Sequence, residues 1–389
     1  MSDHISGPRA LNTQRQFEFV KTQWFNDGLI ISAPPESDPL VGPRHDPGQL
    51  HNSANARSVA GSRTCHRSSS PAAASTASPP AGVRCAGSPT WTPDESPTER
   101  GSMMSTSSTD RWAALDFGPP APDVVETEAP VLLDYLSQGR VARITLNRPH
   151  ADNAITTEMG ALLTEVVEEV AVRTAVRVVV LTGAGKRAFS VGSDLRQRKS
   201  MTKEDWLRQR QAFDRTLYTV RQLRKPIFAA VNGIAYGGGC ELAQSTDFII
   251  ASATATFGQP EAMLGLAAGG GSPALLPRLL PRGRALQMLM TGDPIPAQEA
   301  YRLGMVNELH DPNQLMSAAQ QIAEKIAGNS PTAVQSVKRA VHLGEGQPIE
   351  QAIAIMMDAH WRSAVHPDRV EGIGAFNDGR EPTFNDSDF

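Results

Sequence analysis

From Pro130 onward the chain alternates short apolar runs with stretches of helical period, which restricts it to mixed α/β architectures. Residues 131–135 and 141–146 read as two short strands joined by a hairpin-like turn at Gln138-Gly139. The next segment, 157–172, repeats Met159, Leu162, Leu163, Val166, Val167 and Val170 at helical spacing, with Thr156 or Thr157 as its cap. Strands are expected at 178–182, 227–231 and 248–251, and a second long helix at 203–223. Beyond these the pattern turns helical, over 283–290, 297–303, 314–327, 333–343, 349–363 and 367–377. The order of elements leaves several α/β folds open.

The first third of the chain is different. Residues 46–125 carry runs such as Ser69-Ser70-Pro71-Ala72-Ala73-Ala74-Ser75 and show no apolar period. Such a composition buries too little surface to offset a backbone entropy of roughly 1–2 kcal/mol per residue, so disorder is expected there. Within 8–45, Arg15-Gln16-Phe17-Glu18-Phe19-Val20 and Asp38-Pro39-Leu40-Val41-Gly42 weakly resemble the C-terminal end of dye-decolorising haem peroxidases. The haem-binding body of such a protein is missing, so this piece reads as a remnant or gene-model artefact without peroxidase activity. Met103 and Met104 are alternative starts. Residues 53–91 contain arginines and no Asp or Glu, but this run is internal, which argues against a transit peptide.

Bulk properties exclude several functions. The 389 residues have a formal net charge of −4, which disfavours a bulk nucleic-acid binder. No apolar stretch reaches the ~18 residues of a membrane span. Cys65, Cys85 and Cys240 have no zinc-ligand spacing, and a reducing cytoplasm is the expected location.

Three segments carry chemistry. The first is Ala188-Phe189-Ser190-Val191-Gly192-Ser193-Asp194-Leu195, a glycine turn in which Asp194 can serve as a helix N-cap. The second is Asn232-Gly233-Ile234-Ala235-Tyr236-Gly237-Gly238-Gly239-Cys240-Glu241. Its three glycines let backbone approach a ligand, and a helix start adds partial positive charge there. Glu241 falls in an otherwise apolar stretch, where a carboxylate is costly unless used or paired. The third, Phe257-Gly258-Gln259-Pro260-Glu261, puts a second carboxylate 20 residues after the first.

Together these segments resemble the enoyl-CoA hydratase/isomerase (crotonase) family, from about Pro130 to the C-terminus. The resemblance implies an α/β crotonase spiral of repeated strand–strand–helix units with a C-terminal helical trimerisation region. It divides the chain into an extension (1–125), a spiral core (126–330) and a helical region (331–389). It implies reversible hydration of a 2-enoyl-CoA to a 3-hydroxyacyl-CoA. The N–H groups of Ser193 and Gly238 would hold the thioester oxygen, Glu241 would activate water and Glu261 would serve the α-carbon proton. The 20-residue spacing is that of the hydratase branch. Substrate contacts are implied at Ser193, Asp194, Leu195, Gly238 and Gly269, and, through Asn147-Arg148-Pro149-His150-Ala151-Asp152-Asn153-Ala154-Ile155, at Ala154. Arg196 could meet coenzyme A phosphates, whereas Arg198 and Lys199 read as a solvated loop. Phe213 and Leu217 could line an acyl pocket or simply pack in the core. No metal or redox cofactor is implied, since coenzyme A arrives with the substrate. The expected partners are an acyl-CoA thioester and further copies of the chain in a homotrimer or dimer of trimers, with no nucleic acid or membrane.

Isomerisation, a carnitinyl-CoA-like dehydration, and a non-catalytic or RNA-binding scaffold remain alternatives. Two tempting motifs fail. Gly183-Ala184-Gly185-Lys186-Arg187 lacks the first Gly and the Ser/Thr of a phosphate-binding loop. Cys240 has no His placed by sequence to activate it.

Overall fold

The computed structural model describes residues 129–385. The expectations for 46–125, for the peroxidase-like stretch, for Cys65 and Cys85 and for the alternative starts lie outside these residues.

Strand β1 (Val131–Leu136) runs antiparallel to β2 (Val141–Leu146). Ser137, Gln138 and Gly139 make the turn with positive φ values of 49, 62 and 85°. Strands β3 (Val178–Gly183), β5 (Ile227–Val231), β7 (Phe248–Ser252) and β10 (Glu308–His310) join on in parallel, giving the order β1-β2-β3-β5-β7-β10. Helix α1 (Thr157–Val172) spans the residues its period predicts, and Thr156 caps it by accepting from the Met159 N–H at 3.2 Å.

The large sheet is buried on both faces, as its Val- and Ile-rich strands require. Val179, Leu181, Ile227 and Ala229 point to one side, into the main core with α1 and with α3 (Lys203–Gln222). Val178, Val180, Phe228 and Ala230 point to the other, where α8 (Leu315–Ala327) presents Leu315, Ala319, Ala323 and Ala327. The rings of Phe228 and Phe248 stack at 4.7 Å on that side. The period-2 geometry of a strand produces this division directly.

A second sheet was not foreseen from the sequence. It consists of β4 (Ala188–Ser190), β6 (Ile234–Tyr236), β8 (Thr256–Gly258) and β9 (Ile295–Pro296), in that order. The chain winds as a spiral, alternating β3, β5 and β7 in the first sheet with β4, β6 and β8 in the second. Because β4, β6 and β8 are parallel neighbours, their C-terminal ends lie side by side. Each runs directly into one of the three chemically loaded segments. Three stretches separated by 36 and 15 residues therefore meet at one sheet edge, the place where open parallel sheets bind ligands.

The remaining helices are α2 (Leu195–Lys199), α4 (Gly238–Gln244), α5 (Ser272–Leu279), α6 (Arg282–Thr291) and α7 (Ala297–Leu303). At the C-terminal end, α9 (Pro331–Gly344) and α10 (Ile349–Ala364) pack along one another, followed by α11 (Pro367–Asp378). Among the described residues no helix is long and apolar enough to cross a membrane.

Candidate active site

The site is built on a contact between two backbones. Gly192, at φ +82°, leaves β4 against the first residue of α4. A Cβ on Gly192 would stand 2.6 Å from the Gly238 nitrogen, and one on Gly238 would stand 2.6 Å from the Phe213 ring. Neither position accepts a side chain without displacement. Around this contact most amides are occupied. Val191 donates to the Asp152 carbonyl, Gly192 to Ser190 Oγ and Asp194 to the Ile155 carbonyl. Among the described residues, the N–H groups of Ser193 and Gly238 have no protein acceptor. Gly238 opens α4, so its amide also carries the positive end of a helix. Two donors fixed in this way on adjoining strand ends can address one oxygen.

Glu241 lies on the first turn of α4 and is 2% exposed. Its Oε1 accepts from the Gly270 N–H at 2.5 Å and the Ser272 N–H at 3.3 Å. A Cβ on Gly270 would overlap this carboxylate, so the loop reaches it as bare backbone. Burial raises the Glu241 pKa, opposed by these two amides and by the Arg210 charge. Glu261 follows β8 on a short 3-10 turn, Pro260–Leu264. Burial pushes its pKa up to about 7, against its own backbone N–H; the Glu241 charge adds to the rise, while Arg198 and Arg210 offset part of it.

Sequence reasoning missed the groups that tie these carboxyls together. Gln259 is fully buried, with its amide between Ser272 Oγ at 2.5 Å and Glu261. With its NH2 toward Glu261 it donates to both carboxylate oxygens, at 3.0 and 3.2 Å. In the reversed orientation its carbonyl accepts from a protonated Glu261 while its NH2 donates to Ser272. The amide can therefore serve either protonation state. Ser272 Oγ meets Gln244 at 2.9 Å, which fixes the far end of the chain. A Gln two residues before a candidate Glu on the same turn was the available signal.

The other anticipated residues divide. Gly269 borders the Glu241 loop, but its carbonyl accepts from Arg210 at 2.6 Å, and its neighbour Gly270 makes the carboxylate contact. Asp194 caps α2, accepting from the Arg196 and Gln197 amides at 2.9 and 3.2 Å, and pairs with Arg148 at 3.1 Å. Burial works against its charge, but these partners outweigh it and hold the carboxyl below the usual range. Leu195 and Arg196 are exposed at the start of α2. Ala154 is buried; its N–H donates to Ala151 and its carbonyl accepts from Arg148. Cys240 is buried and its thiol is pushed up to about 12 by burial, which leaves no thiolate for nucleophilic attack. Phe213 and Leu217 belong to the core and also wall the site, against Gly238 and Gly270 respectively.

One expectation is corrected. Arg198 does not sit in a solvated loop. It is half-buried, and its Nε donates to Gln209 Oε1 at 2.8 Å. Burial and then the Arg210 charge lower its pKa, while Glu261 and Glu241 act to raise it. The Arg196-Gln197-Arg198-Lys199 run alone does not reveal this, because of the three basic residues in the short α2 helix only Arg198 turns inward.

The spiral is that of the crotonase class. The family model described as enoyl-CoA hydratase/isomerase matches residues 137–387, and the chain belongs to that family. It is 38% identical over 244 residues to a short-chain-enoyl-CoA hydratase of Clostridium acetobutylicum, covering 63% of this chain and 94% of that one. It is also 38% identical over 265 residues to an (E)-benzylidenesuccinyl-CoA hydratase of Thauera aromatica, covering 66% and 98%. The crystal structure of an enoyl-CoA hydratase from Bacillus anthracis superposes with a TM-score of 0.65 at 35% identity, over 67% of this chain and all of that one.

The raised Glu261 carboxyl has a stability consequence. A carboxyl whose folded pKa lies above its unfolded value of 4.5 favours the native state below about pH 4.5 and loses that contribution as pH rises through about 7. At pH 8 the wild type carries an ionised, half-buried carboxylate. Glu261→Gln should therefore raise the melting temperature relative to wild type more at pH 8 than at pH 5. A difference independent of pH would show that Glu261 titrates at its ordinary value.

Proposed function

We propose that the protein hydrates the double bond of a 2-enoyl-CoA thioester, reversibly, to give a 3-hydroxyacyl-CoA. The observation that carries this reading is a buried and a half-buried carboxyl, Glu241 and Glu261, joined through Gln259 and Ser272, beside two backbone amides without protein acceptors. An isomerisation needs one carboxylate to move one proton; a second one held this firmly favours addition of water.

In the forward direction the amides of Ser193 and Gly238 hold the thioester oxygen. Glu241 takes a proton from water as its oxygen bonds to C3, and the π electrons pass to the thioester oxygen as an enolate. The enolate collapses as C2 takes the proton of Glu261. Each preorganised amide contributes in the range of ~3 kcal/mol of transition-state stabilisation. Glu241 ends with the proton it took from water and Glu261 has given its own to C2, so the pair holds one proton before and after. Coenzyme A takes part as the carrier of the acyl group.

Two tests follow from this scheme. Glu241→Gln and Glu261→Gln should each lower hydration of a short 2-enoyl-CoA by at least ~10²-fold, the scale of a lost general acid or base. Full activity in Glu241→Gln would favour isomerisation. Second, the active form is the singly protonated pair, and no proton enters the net reaction. The pH profile of kcat/KM should therefore be bell-shaped and the same for hydration and dehydration, with its basic limb near the Glu261 value of about 7. A kcat/KM for hydration that stays flat as pH rises through about 7 would rule out the one-proton pair.

The assembly we propose is a trimer or a dimer of trimers. Helices α9, α10 and α11 expose Val337, Val341, Ile353, Trp361 and Phe376, more apolar surface than an isolated subunit keeps in contact with water. Light scattering should give three or six times the subunit mass; a monomer at working concentration would overturn this.

A further inference from the structure

Helix α3 forms one wall of the candidate active site, and three of its residues mark the wall turn by turn. Leu217 reaches Gly270 beside Glu241. Phe213, one turn back, abuts Gly238. Gln209, a further turn back, holds the Nε of Arg198 at 2.8 Å. From Leu217 to Gln209 the helix rises about 12 Å. The Arg198 guanidinium is therefore held one turn along α3 from the Gly238 contact, and it lies near enough to Glu261 and Glu241, the carboxyls proposed to serve the acyl carbons, for their charges to act on it.

Arg198 is firmly anchored. Gln209 is 4% exposed and donates to Thr157 Oγ1 at 3.1 Å and Gln197 Oε1 at 2.8 Å. Gln197 in turn accepts from the Thr157 N–H at 3.0 Å. The anchor uses only Nε. Among the described residues the Nη1 and Nη2 groups have no acceptor, and no carboxylate lies within ion-pair distance. The adjacent guanidinium behaves differently: Arg210 pairs with Asp214 and donates to the Gly269 carbonyl. Arg196 and Lys199 are exposed and need no counter-ion. A half-buried guanidinium with its planar fork free is an unusual fate for this side chain, because burial without a partner is costly. The same fork matches a carboxylate in two-point geometry.

We propose that Arg198 recognises an anionic group, a carboxylate, on the acyl part of the substrate, so that the enzyme acts on short enoyl-CoA thioesters carrying a second acid group. This inference rests on the proposed placement of the thioester at Ser193 and Gly238. Two other roles are separable by experiment. A guanidinium that met coenzyme A phosphates, or that tuned the glutamates, would act on every thioester alike.

The probes are 4-carboxybut-2-enoyl-CoA and its neutral near-isostere 5-methylhex-2-enoyl-CoA, with the saturated pair glutaryl-CoA and 5-methylhexanoyl-CoA for binding by calorimetry. Wild type should favour the carboxylated member of each pair by roughly 10- to 100-fold, the range of a charge-assisted hydrogen bond. Arg198→Gln should lower that ratio at least tenfold, and Arg198→Lys should keep part of it. A wild-type ratio near one, or a fall in Arg198→Gln that leaves the ratio intact, would overturn the inference. If Arg198→Gln fails to fold, the wild-type ratio and its partial retention in Arg198→Lys decide. If neither enoyl thioester is hydrated while glutaryl-CoA keeps an Arg198-dependent advantage, the hydration reading fails and the anion site stands.

Discussion

The approach of Gly192 to Gly238 is the contact on which the rest of the site depends. The backbones that leave β4 and β6 come so close that a Cβ on Gly192 would stand 2.6 Å from the first amide nitrogen of α4. Parallel pairing of β4, β6 and β8 brings the strand ends together, and the missing side chains let them close. The amides of Ser193 and Gly238 then sit on rigid elements with neither donor consumed locally. A rate-enhancing donor pair has to be in place before the reaction begins, because reorganising it later would cost what it gains. Here the placement comes from main-chain packing, so it does not depend on the Ser193 side chain.

The carboxyls are handled by a different device. Burial alone would leave Glu241 and Glu261 neutral and useless as bases. Gly270 and Ser272 supply amides to Glu241, and Arg210 adds positive charge nearby without pairing, since it is occupied by Asp214. Glu261 receives fewer such donors, and its pKa settles near 7. Gln259 completes the arrangement, because an amide can turn to meet either the acid or its carboxylate. The result is a pair with different environments on its two members, which is how two residues of the same type take different roles in one step.

How much of this was legible in the sequence followed from the length and period of each signal. Helix α1 was visible because sixteen residues repeat its apolar face, and β3, β5 and β7 because each is a continuous apolar run. Strands β4, β6 and β8 have three residues apiece, too few to show period 2, so the second sheet was hidden although the motifs it feeds were plain. Glu241 and Glu261 were legible from residue type and spacing. Their tethers were not: a run of three glycines does not say which of Gly269 and Gly270 meets the carboxylate, and Ser272 reads simply as a helix start. Asp194 was legible as the N-cap of α2, but its pairing with Arg148, 46 residues away in the chain, was not.

Arg198 shows why specificity is harder to read than chemistry. The chemistry depends on backbone amides and two carboxyls, which constrain the sequence at fixed points. The wall along α3 constrains it much less. Leu217 and Phe213 must be apolar because they also belong to the core, and that dual duty masks their place in the pocket. At the Gln209 turn the apolar core gives way to polar side chains, so the residue facing inward there is not held to an apolar type. A side chain at that point can change which acyl groups fit while the amides and carboxyls stay in register. In this chain the point is held by a cation fixed through Gln209, Thr157 and Gln197. Three polar side chains spent on orienting one guanidinium make sense if its direction matters, and direction matters for recognising a partner with a geometry of its own.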